Sequence, residues 1–278
     1  MDLKNYGYFG PDSMAWRVWR ERIQLLGGSR AIILQLSHPL VAAGVAKYSS
    51  FQKDPLGRLN RTLDIMQTIV FGSKSEADAA LEKLDHVHKH VKGVLPHKMG
   101  KFDKGTYYKA NDPYLKLWVH ATLIDTSLLV HELFVKYLSK SEKEQFYTES
   151  KLLAELLGVS KNIIPQKLED LLGYMYDMYK KKVIVPTLES KQEVEDILDP
   201  KIPLGLKPAL PFVKFITSGL LPSFLREGYG LKWEKSDELK LKGVAKAVRT
   251  LLPFVPEQIR FTPYYRSAFS SRSLPHII

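Results

Sequence analysis

Three histidines alternate with other residues in the stretch Asp85-His86-Val87-His88-Lys89-His90. One of them belongs to a stripe with the 4-3-4-3 spacing of a single helix face, made of Ala77, Leu81, Leu84, His88 and Val91. His86 and His90 are roughly 160° around the helix from it, so we expect them to face solvent. With Glu82 one turn earlier, this surface pair could bind a metal adventitiously. His88 is either a ligand or a structural core histidine satisfied by hydrogen bonds.

A second helix carries polar groups on an apolar face. Arg58, Thr62, Ile65 and Ile69 share one face by the same spacing. A buried guanidinium needs an anionic partner. That partner is a protein carboxylate, a cofactor carboxylate or a substrate group, and the sequence leaves the choice open.

A third helix repeats the pattern. His120, Ile124, Ser127 and His131 align on one face, and Thr122 with Asp125 interrupts another largely apolar face. Hydrogen bonds between helices explain these residues, or they line a pocket.

Composition limits the cofactor chemistry. The chain contains no cysteine, which excludes disulfides, thiolate-bound zinc, iron–sulfur clusters, a cysteine nucleophile and a thiolate-bound or covalently attached haem. The remaining soft ligands are histidine, methionine and tyrosine. With 45% hydrophobic and 26% charged residues, the 278-residue chain is typical of a globular protein with a large core.

Charge and hydropathy bear on partners and location. The net charge of +11 is compatible with an anionic membrane surface or with lysines spread over a solvated face. The lysines are scattered and form no compact basic and aromatic module, so we predict no nucleic-acid partner. The N-terminus lacks a signal-peptide pattern, and no apolar run is long enough to span a bilayer. We therefore expect a cytoplasmic protein with peripheral contact to a membrane.

Helix signals dominate, and we predict an all-α fold with a single domain over residues 1–278. Asp112-Pro113 supplies a cap and a first-turn proline for a helix to about Leu138. Ser141-x-x-Glu144 matches the capping box of a helix that stops at Gly158. The other predicted helices are Ser29 to Leu36, one starting at Pro39, Arg58 to Phe71, Ser75 to Val91, Pro165 to about Lys182, Ser236 to Leu252 and Pro256 to Ser271.

Two segments do not fit the helical pattern. Lys182 to Pro186 has weak strand character. Pro200 to Pro222 is apolar and interrupted by proline and glycine, and we predict an irregular segment docked on the core. Part of this region, Leu204 to Leu225, combines leucine, phenylalanine and proline with lysine, which is also typical of a membrane-surface segment.

Sequence blocks in fixed order carry a resemblance to a known family. They are Tyr8-Phe9-Gly10-Pro11-Asp12-Ser13-x-x-Trp16, Ala31-x-x-Leu34-Gln35-x-x-His38-Pro39-x-Val41-Ala42-x-Gly44-Val45, Ser49-x-Phe51-x-x-Asp54-Pro55-x-x-Arg58-Leu59-x-Arg61-Thr62, Phe71-Gly72, His88-x-x-Val91-x-Gly93 and Tyr108-x-Ala110-x-Asp112-Pro113-x-Leu115-x-x-Trp118-Val119-His120-Ala121-Thr122-Leu123. C-terminal markers follow at Leu221-Pro222, Arg226, Leu252-Pro253 and Pro263. In order and spacing, these blocks resemble the rubber oxygenase (latex-clearing-protein) and MpaB oxygenase family.

The resemblance implies a globin-reminiscent helical core that holds haem b. Its proximal iron ligand, the histidine of H-x-x-V, falls on His88, which periodicity already placed on the core face. The pocket-lining arginine and threonine of the family fall on Arg58 and Thr62. His120 matches a recurrent family position, for which we expect a supporting role at the cofactor. His38 is expected to be a structural residue of the pocket.

Two departures from the family pattern concern the substrate. Members that cleave polyisoprene use a distal lysine and a glutamate, whereas Arg61 precedes Thr62 here and no glutamate lies near Ala42. Arg61 stays protonated and donor-only, so it is a poor iron ligand. Rubber is also an extracellular polymer, and the N-terminus shows no export signal. We therefore place Arg61 with Arg58 and Thr62 as catalytic candidates at a site that differs from that of rubber-cleaving members.

The sequence thus predicts a haem b-dependent oxygenase that acts with O2 on a hydrophobic, unsaturated isoprenoid or lipid-like substrate. Two alternatives remain open. The first is a non-catalytic haem or lipid carrier. The second is a non-haem di-iron helical oxygenase, for which Asp85-x-x-His88 supplies one half of a carboxylate-x-x-His motif but no matching second half is evident.

Overall fold

The fold is known from a computed structural model, which describes residues 6–48 and 55–269; for Pro55, Leu56, Arg58, Leu59 and Leu206 it describes the backbone alone. Over these residues the chain is nearly all α-helical, which confirms the predicted fold class. The helices are α1 (Met14–Trp19), α2 (Gly28–Leu36), α3 (Pro39–Tyr48), α4 (Pro55–Phe71), α5 (Lys74–His90), α6 (Pro113–Phe134), α7 (Lys140–Leu156), α8 (Leu168–Lys180), α9 (Leu188–Leu198), α10 (Leu210–Leu220), α11 (Ser223–Gly228), α12 (Lys235–Leu251), α13 (Glu257–Arg260) and α14 (Pro263–Ser267). The strands β1 (Lys92–Val94) and β2 (Tyr107–Lys109) pair antiparallel.

Side-chain caps set the helix starts. Asp112 accepts the backbone N–H groups of Tyr114 and Leu115 at the start of α6, as predicted. The predicted capping box of α7 is wrong by two residues: Ser139 and Glu142 form it. Ser139 has the extended backbone that an N-cap needs, whereas position 141 already lies within the helix.

The middle of the chain corrects two further predictions. α8 begins at Leu168 rather than at Pro165, and the predicted strand at Lys182 to Pro186 is absent from the described structure. Lys182 has a φ of +50°, which turns the chain, and Val185 donates its N–H to the Ser37 carbonyl, 2.8 Å away. The helix α9 follows and was not predicted.

The segment Pro200 to Pro222 is not irregular. A 3₁₀ helix at Leu204–Ala209 leads directly into α10, and only the end of α10 is buried. The apolar side chains of α10 are buried from Ile216 onward. The helical spacing of apolar residues already runs through the proline-rich start of the segment, which is why this stretch is helical.

The predicted helix from Pro256 to Ser271 is broken into α13 and α14. At the break, Phe261 bridges Glu21, and Thr262 donates its N–H to the Arg20 carbonyl at 2.9 Å. Arg260 binds Glu21 with both guanidinium N–H groups at 2.6 and 2.8 Å. Pairing with the N-terminal part of the chain therefore replaces helical hydrogen bonds at this point.

The core surrounds α6, which packs on α2, α7, α8 and α12. The helices α4 and α5 form a tight hairpin joined by the turn at Gly72 and Ser73. Among the described helices, none is both long enough and apolar enough to cross a membrane. The hairpin carries Arg58, Arg61, Thr62 and His88 of the predicted site, and α6 carries His120.

Candidate functional site

The exposure of α5 follows the predicted helical phase. Ala77 is fully buried, and Leu81, Leu84, His88 and Val91 are partly buried, whereas His86 and His90 are exposed. The structure therefore separates His88 from its two neighbours as periodicity indicated. The burial of His88 is only partial, and it lies in the last turn of α5.

Two charged side chains flank the imidazole of His88. Burial lowers the pKa of His88 below its ordinary value, the nearby Lys116 ammonium lowers it further, and Asp85 acts in the opposite direction. Asp85 is held by Lys89 at 2.8 Å and by Asn111 at 3.1 Å. Within the described part of the chain, the His88 ring makes no hydrogen bond. At neutral pH the ring is therefore an uncharged imidazole, and its unprotonated nitrogen has a lone pair available for a ligand bond.

Lys116 lies close enough to His88 for its charge to act on the imidazole, and the sequence did not predict it at the site. It lies in the first turns of α6 and is partly buried, which lowers its pKa. Its Nζ would lie 2.9 Å from a Cβ at Gly158, so the ammonium rests at the C-terminal end of α7. The one feature of the sequence that links Lys116 to the predicted residues is its spacing of four residues from His120, which places both on the same face of α6.

Close packing fixes the chain beyond His88. A Cβ on Gly44 of α3 would lie 3.3 Å from Val91 Cγ1, and a Cβ on Gly93 would lie 2.7 Å from the Tyr108 hydroxyl. Both glycines therefore allow α3 and β2 to approach the end of α5. These residues come from three separate sequence blocks, and the fold brings them together around the His88-x-x-Val91 segment.

The predicted face of α4 becomes more exposed toward its N-terminal end. Ile69 is fully buried and Ile65 partly buried, whereas Thr62 and the adjacent Arg61 are exposed. The side chain of Arg58 and the block from Ser49 to Asp54 lie outside the described residues. The structure therefore describes only the C-terminal half of the predicted arginine and threonine face.

The polar residues of α6 divide into two groups. Thr122 receives a hydrogen bond from Gln35 at 3.1 Å and Asp125 one from Arg30 at 2.6 Å, so these two join α6 to α2. On the other face, Ser127 accepts the Trp19 ring N–H at 3.0 Å, and His131 Nδ1 contacts the Lys136 carbonyl at 3.2 Å. Helix–helix and local hydrogen bonds therefore account for four of the five polar residues singled out on this helix.

His120 stands apart from that group. Its side chain is fully buried, and neither ring nitrogen has a hydrogen-bond partner among the described residues. Burial alone lowers the pKa of His120 to about 4, so the ring is neutral. It lies one helical turn beyond Lys116, the residue whose charge acts on His88.

His38 precedes Pro39 at the start of α3. It is buried, its ring lies 5.5 Å from that of Phe102, and its Nδ1 accepts the Leu40 N–H at 3.3 Å. Burial and the Lys101 charge lower the pKa of His38 to about 4. These contacts order the turn between α2 and α3.

Multidentate metal sites are not found in the described part of the chain, where no three histidine, aspartate or glutamate side chains are grouped to hold a metal ion. The rings of His86 and His90 lie 4.9 Å apart, and His90 Nδ1 contacts the His86 carbonyl at 2.8 Å. A single axial ligand to a haem iron does not require such a group.

Comparison with known proteins identifies the family. Residues 16–250 match the model of the ER-bound oxygenase mpaB/B'/rubber oxygenase catalytic domain. The chain belongs to this family. The match confirms the resemblance of the sequence blocks, and its residue range includes every predicted site residue.

Membership in this oxygenase family makes the chain an enzyme that uses O2 and an oxidisable substrate. The chain is also similar to uncharacterized proteins of Mycobacterium bovis and Mycobacterium tuberculosis, each 23% identical over 237 residues, which is 82% of this chain and 88% of each relative. No solved structure matches the chain.

Proposed function

We propose that this family member is a haem b-dependent oxygenase in which His88 is the proximal iron ligand. The state of His88 carries the proposal: a neutral, partly buried imidazole with no hydrogen bond in the described structure. A protonated imidazole cannot coordinate iron, so a lowered pKa keeps the donor nitrogen available. Membership in an oxygenase family supplies independent support.

The residues present fit a haem group at His88. The donor is a histidine, the commonest protein ligand of haem b in a chain without cysteine. His120, fully buried and without a hydrogen-bond partner, is the second observation that fits. An unsatisfied buried polar group costs about 1–3 kcal/mol. We propose that a supporting contact at the cofactor accounts for it.

When bound, haem would supply the activation of O2, which no side chain of this protein can perform. The chain's own residues would orient and polarise the site. Burial first, and the Lys116 charge second, lower the pKa of His88 and so favour its neutral form. We propose that Arg58 pairs with a carboxylate of the cofactor or the substrate, and that Arg61 and Thr62 present hydrogen-bond donors on the catalytic side. His38 would support the pocket from the start of α3.

We propose a hydrophobic, unsaturated isoprenoid or lipid-like compound as the substrate class, collected at a membrane surface. Two observations support this proposal: the family includes a rubber oxygenase, whose polymer is a hydrophobic isoprenoid, and a net charge of +11 favours contact with anionic lipid. Rubber itself is not proposed, because Arg61 stands where rubber-cleaving members have a lysine. A lipid phase would concentrate such a substrate for the enzyme.

The di-iron alternative has less support. Asp85 is engaged by Lys89 and Asn111, and no group of three metal-ligating side chains was found among the described residues. A haem carrier without catalytic activity would bind the same group as the proposed enzyme, so turnover has to distinguish the two.

Haem titration followed by absorbance spectroscopy tests the proposal. Wild-type protein should bind one haem with a strong Soret band, and His88→Ala should lose stoichiometric binding. His86→Ala and His90→Ala are matched controls on the same helix and should bind normally. Equal loss in all three variants, or two irons bound without a Soret band, would contradict it. Oxygen consumption with an unsaturated lipid then separates enzyme from carrier.

A further inference from the structure

The segment that enters α10 projects from the protein instead of docking on it. In residues 201–214, which we call the 201–214 segment, nearly every residue whose side chain is described is exposed or partly exposed. Leu204 is 79% exposed and Phe212 is 45% exposed. About one turn after Phe212, Ile216 is fully buried. The C-terminal end of α10 is thus buried in the core, whereas the 3₁₀ helix and the start of α10 expose large apolar side chains to solvent.

Three lysines lie among the apolar residues of the 201–214 segment. Lys201, Lys207 and Lys214 are all exposed, and none of the three forms an ion pair within the part of the chain that the structure describes. The basic helix α12 offers a contrast, since its Lys240 and Lys242 pair with Asp237 and Glu238. The segment therefore combines exposed apolar area with positive charge that the protein does not neutralise.

We infer that the 201–214 segment is a docking surface for an anionic lipid bilayer. Exposed leucine and phenylalanine would enter the boundary between headgroups and acyl chains, and the three lysines would stay at the level of the anionic headgroups. Charge complementarity selects this occupant, because each lysine near an anionic surface adds attraction equivalent to about fivefold in affinity. The short 3₁₀ helix at Leu204–Ala209 suits an interfacial position, as it is far too short to span the bilayer.

This inference deepens the proposed contact with a membrane and rests on that part of the proposed function alone. It does not depend on haem binding or on oxygenase activity. It also places the contact on α10, on a different element from the α4–α5 hairpin that carries His88.

Co-sedimentation with phosphatidylcholine vesicles, with and without phosphatidylserine, tests the assignment. Wild-type protein should bind the vesicles that contain phosphatidylserine and dissociate as salt shortens the Debye length below about 10 Å. Leu204→Glu and Phe212→Glu should each weaken binding about tenfold or more. Lys207→Gln should weaken it about fivefold. Leu239→Glu is the matched control, since Leu239 is 69% exposed and lies among lysines on α12.

Each outcome decides the question. Loss of binding in the Leu204 and Phe212 variants with binding retained in Leu239→Glu supports the assignment. Equal loss in all three variants, or no loss in the first two, overturns it. Absence of wild-type binding to the vesicles at low salt also overturns it. The same holds if the protein binds DNA and not the vesicles. Oxygen uptake on detergent-dispersed lipid should be unchanged in Leu204→Glu, so a failure of the oxygenase proposal would be seen separately.

Discussion

Arg30 of α2 and Asp125 of α6 form an ion pair across the centre of the fold, with Nη2 2.6 Å from Oδ2. Arg30 is 5% exposed and also donates to the Leu220 carbonyl at 2.7 Å and to the Thr126 hydroxyl. One guanidinium therefore joins α2, α6 and the end of α10. Removal of Asp125 would leave the buried guanidinium without its carboxylate, whereas removal of Arg30 would leave Asp125, which is 24% exposed, and the Leu220 carbonyl without their partner.

We predict that Arg30→Met lowers the free energy of unfolding by about 2–3 kcal/mol, less than for a fully buried pair because the remaining Asp125 is partly solvated. Arg30→Met combined with Asp125→Leu should recover much of that loss, because no charge is then left without a partner. Lys181→Met is the control: Lys181 and Asp177 pair at the same 2.6 Å but at an exposed position, so its effect should be small. Urea denaturation of the four proteins measures this, and equal effects of the Arg30 and Lys181 variants would contradict it.

The acid sensitivity of folding should depend on His120. The pKa of His120 is about 4 in the folded protein and about 6.5 in an unfolded chain. Between these values the unfolded chain binds a proton that the folded protein does not, so stability falls as pH decreases from about 6.5 to about 4. Above that window the histidine is neutral in both states and contributes no pH dependence.

Burial also lowers the pKa values of His38 and His131 to about 4 and acts in the same direction on His88, so four histidines share this effect. We predict that His120→Leu removes at most about one third of the histidine-dependent stability loss between pH 7.5 and pH 5. His90→Leu, at an exposed position of α5, should leave the loss unchanged. Denaturant titrations at the two pH values measure the difference. If His120→Leu loses as much stability between the two pH values as the wild-type protein, then His120 is not a buried, neutral ring without a hydrogen-bond partner.

The charge of Lys116 should act on His88 in solution. Because the ammonium lowers the pKa of His88, Lys116→Met should raise that pKa toward its ordinary value. The imidazole would then become protonated at a higher pH. NMR titration of the histidine ring protons in haem-free protein measures this. Lys83→Met, at an exposed position of α5, should leave the His88 titration in place.

The proposed role of Arg58 has its own test. A guanidinium on the apolar face of α4 should have an anionic partner, so Arg58→Ala should lower haem occupancy or oxygen uptake. Lys89→Ala serves as the control, because Lys89 is exposed and pairs with Asp85 at the surface. If Arg58→Ala retains wild-type haem content, spectrum and turnover, Arg58 has no role at the cofactor.

The sequence by itself determined the helical class, most helix positions and the phase of α5. These depend on local quantities: the 3.6-residue repeat that separates His88 from His86 and His90, and caps such as Asp112. Sequence patterns gave the wrong capping residue where two local signals competed at the start of α7. Two serines, Ser139 and Ser141, each precede a glutamate by three residues, and only the backbone conformation of the folded chain selects one.

Tertiary structure alone decided which polar residues meet. Arg30 and Asp125 are far apart in sequence, and no spacing rule links a cation on one helix to a carboxylate on another. The same holds for Lys116 with His88, and for Gly44 with Val91. It also decided that one end of α10 is buried while the other projects. Periodicity gives the direction of a side chain around its own helix, whereas burial depends on whether another element covers that face.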